Sequence, residues 1–219
     1  MSISAFIKQK VLFRSDQAKQ ANNSSEQHEP IQMMNLVRQQ ELKRVDAELK
    51  QLPPAEIPQL EPNHRDGVVW RIPVPARTDV FMSLRGGDHP VEQSHFVVYV
   101  RGLAFYRAWL TLDASHYQSC PLQKDMQRDY KFHDAVGGFS AGIENPVPIT
   151  NMGTLARDGE LLIVFLNGIT RTLWLLANNV EVFPVHCQDL ASASLLANKA
   201  GVAEPIPIPI LDRDWRQTT

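Results

Sequence analysis

Glu160-Leu-Leu-Ile-Val-Phe-Leu-Asn-Gly-Ile-Thr-Arg-Thr172 is the stretch on which the fold turns. From Glu160 to Asn167 it is a continuous apolar run, the mark of a strand covered on both faces. Asn167-Gly168 breaks the run, and Ile169 to Asn178 then reads as a helix. Downstream, Glu181 to Cys187 predicts a further strand, and Asp189 to Ala200 a helix with Asp189 at its N-cap and Gly201 at its stop. Upstream, Asn145-Pro-Val-Pro-Ile149 is extended, because each proline disfavours helix in the residue before it. Before that, Tyr130, Phe132, His133 and Val136 share a helical face that runs out at Gly137-Gly138. The alternation predicts a mixed α/β (α+β) domain, with a small mixed sheet and helices packed on it.

Nearer the N-terminus the period shortens. Val68 to Val74, Val80 to Leu84, Phe96 to Val100 and Tyr106 to Leu112 are short β-rich runs punctuated by Pro75, Gly86-Gly87 and Gly102, which suggests antiparallel strands. Asp113 is a candidate N-cap for a short helix, followed by a polar turn to Gln127. Residues 15–30 lack aromatic and β-branched side chains and read as a flexible linker. Ile31 to Leu52 is compatible with an imperfect amphipathic helix through Met34, Val37, Leu42, Val45 and Leu49. Pro-rich residues 52–62 form a spacer. The expected organisation is a flexible and helical arm over 1–65, a domain over 66–202, and an extended tail over 203–219. In the tail the alternating prolines of Pro205-Ile-Pro-Ile-Pro-Ile210 forbid a central strand.

The chain has 219 residues, 22 Lys and Arg against 24 Asp and Glu, and a formal charge of −2. That balance excludes a polycation gripping nucleic acid by neutralisation alone, so any contact with DNA is local. The longest apolar run, Leu161 to Leu166, falls far short of the roughly 20 residues that span a bilayer. The first residues lack a secretory signal, so a cytoplasmic location, at most peripheral to the inner membrane, is expected. Cys120 and Cys187 make neither a disulfide framework nor a zinc motif, and the histidines show no metal-ligand spacing. Trp70, Trp109 and Trp174 lie in apolar contexts and are expected in the core.

The sharpest chemical feature is the turn from strand into helix at Asn167-Gly168. The first N–H groups of a helix have no internal partner and carry partial positive charge, so an anion is favoured there, and Gly168 lets backbone approach closely. Thr170, Arg171 and Thr172 add hydroxyls and a guanidinium fork suited to phosphate oxygens.

Asn145-Pro-Val-Pro-Ile149, Asn167-Gly-Ile-Thr-Arg171 and Val182-Phe-Pro-Val185 together resemble the ordered signatures of the ParB/sulfiredoxin superfamily. Residues 129–149 with 167–178 resemble more closely the plasmid fertility-inhibition factors of the Osa/FiwA type. The resemblance spans about Trp70 to Ala200 and implies a ParB/sulfiredoxin-like fold. It further implies a role in blocking conjugative DNA transfer, T-DNA included, through type IV secretion systems, with associated ATPase and DNase activities. Carried over by position, Lys131, Gly168 and Arg171 match the phosphate-binding Lys, Gly and Arg. ATP would lie against Lys131 and residues Asn167, Gly168, Ile169, Thr170, Arg171 and Thr172. Ile169 and Thr170 replace the catalytic Cys and its His neighbour, which excludes sulfinic-acid reduction. The Gly-x-Arg-Arg turn of the ParB branch is absent, which argues against a CTP-dependent clamp. Nuclease chemistry would need carboxylates around Mg2+ or Mn2+, and Asp129, Asp134 and Glu144 are candidates by proximity. The implied partners are a type IV secretion coupling protein or the relaxosome/T-complex, with DNA. The alternative is a non-catalytic protein that jams that machinery.

Overall fold

A short apolar sequence near a proline or glycine takes its structure from what covers it, and among the described residues two sheets and five α-helices supply the cover. The computed structural model describes residues 28–62, 64–65, 67–84, 95–112, 118–157 and 160–207. The chain separates into a unit ending at Gln39 and a second unit from Gln40 onward. Helix α1 spans His28–Leu49. In the first unit it exposes Met33, Met34 and Leu36. His28, Glu29 and Pro30, expected as the end of the linker, are helical, since proline is tolerated in a first turn where its missing N–H has no partner to lose. The rest of the expected linker, residues 15–27, lies outside the described residues. At its other end α1 stops at Leu49, short of Leu52, which precedes a proline and is barred from helix.

In the second unit, β1 (Gln59–Glu61), β2 (Val68–Ile72), β3 (Val80–Leu84) and β5 (Val147–Pro148) form one sheet in the order β1-β2-β3-β5. Its first three strands are antiparallel, and β5 joins β3 in parallel. The other sheet takes β4 (Phe96–Arg101), β6 (Thr150–Arg157), β7 (Glu160–Asn167), β8 (Val182–Cys187) and β9 (Ile206–Pro207) in the order β7-β6-β8-β4-β9. It is mixed: β6 runs parallel to β8, while the other pairs are antiparallel. Trp70 of β2 donates its indole N–H to the Tyr99 hydroxyl of β4 at 2.9 Å, joining the two sheets through a satisfied polar contact. The two-residue β9 sits at a sheet edge, where its missing donors cost nothing.

Three expectations change. Tyr106 to Leu112, expected as a strand, belongs largely to helix α2 (Gly102–Leu110). Phe105, Tyr106, Ala108, Trp109 and Leu110 are all buried, and a helix covered all round shows no amphipathic period by which to tell it from a buried strand. Gly102 opens α2 where a Cβ would lie 2.3 Å from the Val180 carbonyl oxygen. Helix α3 (Phe132–Ser140) does not end at Gly137-Gly138 but passes through both. Two glycines cost about 1 kcal/mol each in a helix interior, and burial of Ala135 and Phe139 opposes that cost. The helical face shared by Tyr130, Phe132, His133 and Val136 is split: Phe132 packs against the core, while His133, Val136 and the preceding Tyr130 are exposed. Strand β6 had no sequence signal, because Thr150-Asn-Met-Gly-Thr154 mixes polar residues and glycine and its place depends on both neighbours.

Helices α4 (Ile169–Ala177) and α5 (Leu190–Ala200) complete the unit. Asp189 caps α5 by accepting from the Ser192 N–H at 2.7 Å. Trp70, Trp109 and Trp174 are buried in the core, with Trp174 stacked on Phe139 at 4.3 Å between centroids.

Candidate functional site

Strand β7 enters α4 through Gly168, whose φ of +101° lies in the left-handed region that favours glycine. A Cβ there would also fall 2.9 Å from Thr150 Oγ1 and 3.0 Å from Thr150 Cα. The turn is therefore restricted to glycine twice over, by conformation and by space. Below it, Thr150 Oγ1 and Thr172 Oγ1 share a hydrogen bond of 2.9 Å, and Thr172 Oγ1 donates to the Gly168 carbonyl at 3.0 Å. Thr172 is fully buried. Its hydroxyl holds the turn together from beneath.

Above the turn lies a cleft of about 850 Å³, within the size range of small-molecule sites. Asn167, Gly168, Ile169, Thr170 and Arg171 form one side. The short 3-10 helix Gln123–Arg128 and the turn after it contribute Asp125, Arg128, Asp129, Tyr130 and Lys131 to the lining. Trp109, Gln118 and Phe165 are among the residues that close the wall. The chain thus brings Asp129 and Lys131 to the residues 167–171 with which they were grouped from sequence. Three cations face two carboxylates there, and the α4 N-terminus adds partial positive charge.

The individual groups differ in how committed they are. Arg171 Nη1 donates to the Pro148 carbonyl at 2.5 Å and the Ile149 carbonyl at 3.1 Å. Burial pulls this guanidinium below the usual arginine range. Arg128 pairs with Asp125 at 2.9 Å and remains exposed. Asp129 Oδ1 accepts the Lys131 backbone N–H at 3.0 Å, while Lys131 Nζ lies 5.3 Å from the Tyr130 ring centroid. Asp134 and Glu144 are elsewhere. Asp134 pairs with His133 at 2.9 Å, and Glu144, exposed, lies 4.0 Å from Arg65 Nη2. Among the described residues no group of three or more His, Cys, Asp or Glu is placed to hold a metal ion.

Arg128 and Gln118 were not among the residues expected at the site, and Tyr130 was placed only on a helical face. The available signal was local: Arg128-Asp-Tyr-Lys131 sets two cations around an aromatic, a pattern suited to phosphate and base together. Nothing local marked Gln118, which reaches Phe165 across 47 positions.

The protein osa of Shigella flexneri is 44% identical over 179 residues, which cover 81% of this chain and 93% of that relative. The chain belongs to the plasmid fertility inhibition factor family. The family model matches residues 97–201 of this fertility inhibition factor, a span that holds every residue lining the cleft. The crystal structure of Oncogenic Suppression Activity Protein, a plasmid fertility inhibition factor, in its gold(I) cyanide derivative, superposes with a TM-score of 0.76 at 43% identity, covering 83% of this chain and 96% of that one. No helix among the described residues is long and apolar enough to cross a membrane.

Proposed function

We propose that this fertility inhibition factor blocks conjugative transfer of competing DNA, T-DNA included, through type IV secretion systems, using ATP bound in the cleft at the start of α4. The observation that carries the reading is the convergence of Lys131, Arg128 and the Gly168 helix start on one cleft of nucleotide size. Lys131 and Arg128 supply charge to a polyphosphate, Ile169 and Thr170 line the cleft at the start of α4, where the first N–H groups of a helix lack internal partners, and Thr170 adds a hydroxyl. Bound ATP would supply a phosphoanhydride whose hydrolysis can drive work on the transferring complex. Arg171, which also lines the cleft, is tied through its Nη1 to the Pro148 and Ile149 carbonyls.

A DNase activity fits less well. Asp134 and Glu144 lie outside the cleft lining, so the three carboxylates do not fit one site for Mg2+ or Mn2+. That placement favours the second reading, a non-catalytic protein that jams the coupling protein or the relaxosome. A mating assay with the protein expressed in the donor separates the two. Under the nucleotide reading, Lys131→Ala with Arg128→Ala restores plasmid transfer toward the level of a donor without inhibitor. Full inhibition by that double variant, folded as judged by circular dichroism, would replace the nucleotide reading with the binding one.

A further inference from the structure

We infer that Tyr130 and Leu166 form a base-holding wall of the cleft, so that its ligand carries an aromatic base beside its phosphate; this rests on the nucleotide reading above. Tyr130 is 78% exposed and is the one aromatic among the exposed large hydrophobic residues described, and Leu166 is 42% exposed. Both line the cleft, Tyr130 on the side of the 3-10 helix and Leu166 on the side of β7. Single exposed apolar residues are ordinary. Two that face one polar cleft, beside cations and a helix start, offer flat apolar contact where a ligand would otherwise meet only charge.

The position of the ring supports a binding role. Asp129 fixes the turn on both sides of it, accepting the Lys131 N–H through its carboxylate and the Phe132 N–H through its carbonyl at 2.9 Å. Lys131 Nζ sits over one face of the Tyr130 ring, 5.3 Å from its centroid, so a base stacks on the other face, with an ammonium close by for its phosphate. The shared chemistry is a nucleobase with its phosphate, whether from a free nucleotide or from the end of a DNA strand. Stacking recognises the ring face, which every base has, so binding should tolerate a change of base.

The test measures binding of ATP, inorganic tripolyphosphate and a ten-nucleotide single-stranded DNA to wild type, Tyr130→Ala and Tyr130→Phe. Because the side chain is exposed, neither substitution threatens the fold. We expect Tyr130→Ala to weaken ATP, the oligonucleotide, or both by about tenfold, to leave tripolyphosphate unchanged, and Tyr130→Phe to bind as wild type. Whichever base-bearing ligand loses affinity identifies the source. Equal weakening of tripolyphosphate, or none of any ligand, overturns the stacking wall while leaving phosphate binding in place. Failure of wild type to bind any of the three overturns the nucleotide reading and this inference with it.

Discussion

Arg171 shows how burial decides what a cation does. Its sequence position, three residues into a helix after a glycine turn, suits a phosphate ligand. In the fold its Nη1 is taken by two consecutive carbonyls of Pro148 and Ile149, so the side chain ties α4 to the end of β5. The strand needs such a tie. It is two residues long, meets β3 through Met82 and Ser83, and its proline has no N–H to donate. We therefore expect Arg171→Ala to lose about 2 kcal/mol of stability, the cost of removing hydrogen bonds from a charged donor, read as a lower urea midpoint. Arg171→Lys should recover part of the loss, because both bonds come from the single Nη1 and an ammonium also carries several donors on one nitrogen. A wild-type midpoint for Arg171→Ala would show that the contact is incidental. Nucleotide binding is better tested at Lys131 and Arg128, whose removal leaves the backbone alone.

At the level of elements, the cleft depends on an edge strand held by one side chain. Strand β7 ends its sheet, and Gln118 fills the place of a missing neighbour at Phe165: its Nε2 donates to the Phe165 carbonyl at 2.9 Å, and its Oε1 accepts the Phe165 N–H at 2.8 Å. Trp109 Nε1 fixes the Gln118 carbonyl at 2.8 Å, and the Trp109 and Phe165 rings lie 4.6 Å apart. Gln118→Ala leaves both Phe165 groups without this partner, so we expect a loss of about 2–3 kcal/mol, with faster amide exchange at Phe165 than in wild type. Unchanged exchange would mean that β7 needs no clamp. The same pairing explains what could be read in advance. Strand β7, α4, β8 and α5 were legible because each carries its own pattern, a continuous apolar run, a glycine turn, or an Asp cap with a Gly stop. Strand β6 was not, since Asn151 and Gly153 favour a strand only when β7 and β8 flank them. Helix α2 was misread because its apolar residues cover every side, and the end of α3 because burial of Ala135 and Phe139 carries the helix past Gly137-Gly138. In the cleft, the turn 167–171 and Lys131 were visible as local motifs, whereas Gln118 depends on a contact between distant positions.

Across the second unit, the last turns of α1 are joined to the cleft by a chain of polar contacts. Val45 is fully buried, and Leu42 and Leu49 pack against the core. Glu41 is gripped by Arg44 at 2.7 and 2.9 Å and accepts from the Tyr106 hydroxyl at 2.9 Å. The Tyr106 hydroxyl in turn accepts the Gln123 N–H at 2.8 Å, and Gln123 Nε2 donates to the Leu176 carbonyl and to Asn179 Oδ1. Gln123 is the first residue of the 3-10 helix that delivers Asp125 and Arg128 to the cleft. Acid should act on this chain through Glu41. The Arg44 hydrogen bond holds its carboxyl below the ordinary glutamate value of 4.5, helped by Tyr106 and opposed by burial. A group with a depressed folded-state pKa stabilises fully above its unfolded value and loses that contribution as pH falls through the folded one. Stability from Glu41 is therefore complete at neutral pH and disappears below about pH 4.5. Glu41→Gln should lower the melting temperature at pH 7 by a few degrees and flatten its further decline as pH falls below about 4.5. Since Gln123 stands in the same network, the variant should also bind ATP more weakly at neutral pH. Parallel melting curves against pH for wild type and variant would show that Glu41 does not carry the acid response. A stability loss with unchanged ATP affinity would show that anchoring of α1 stops short of the cleft.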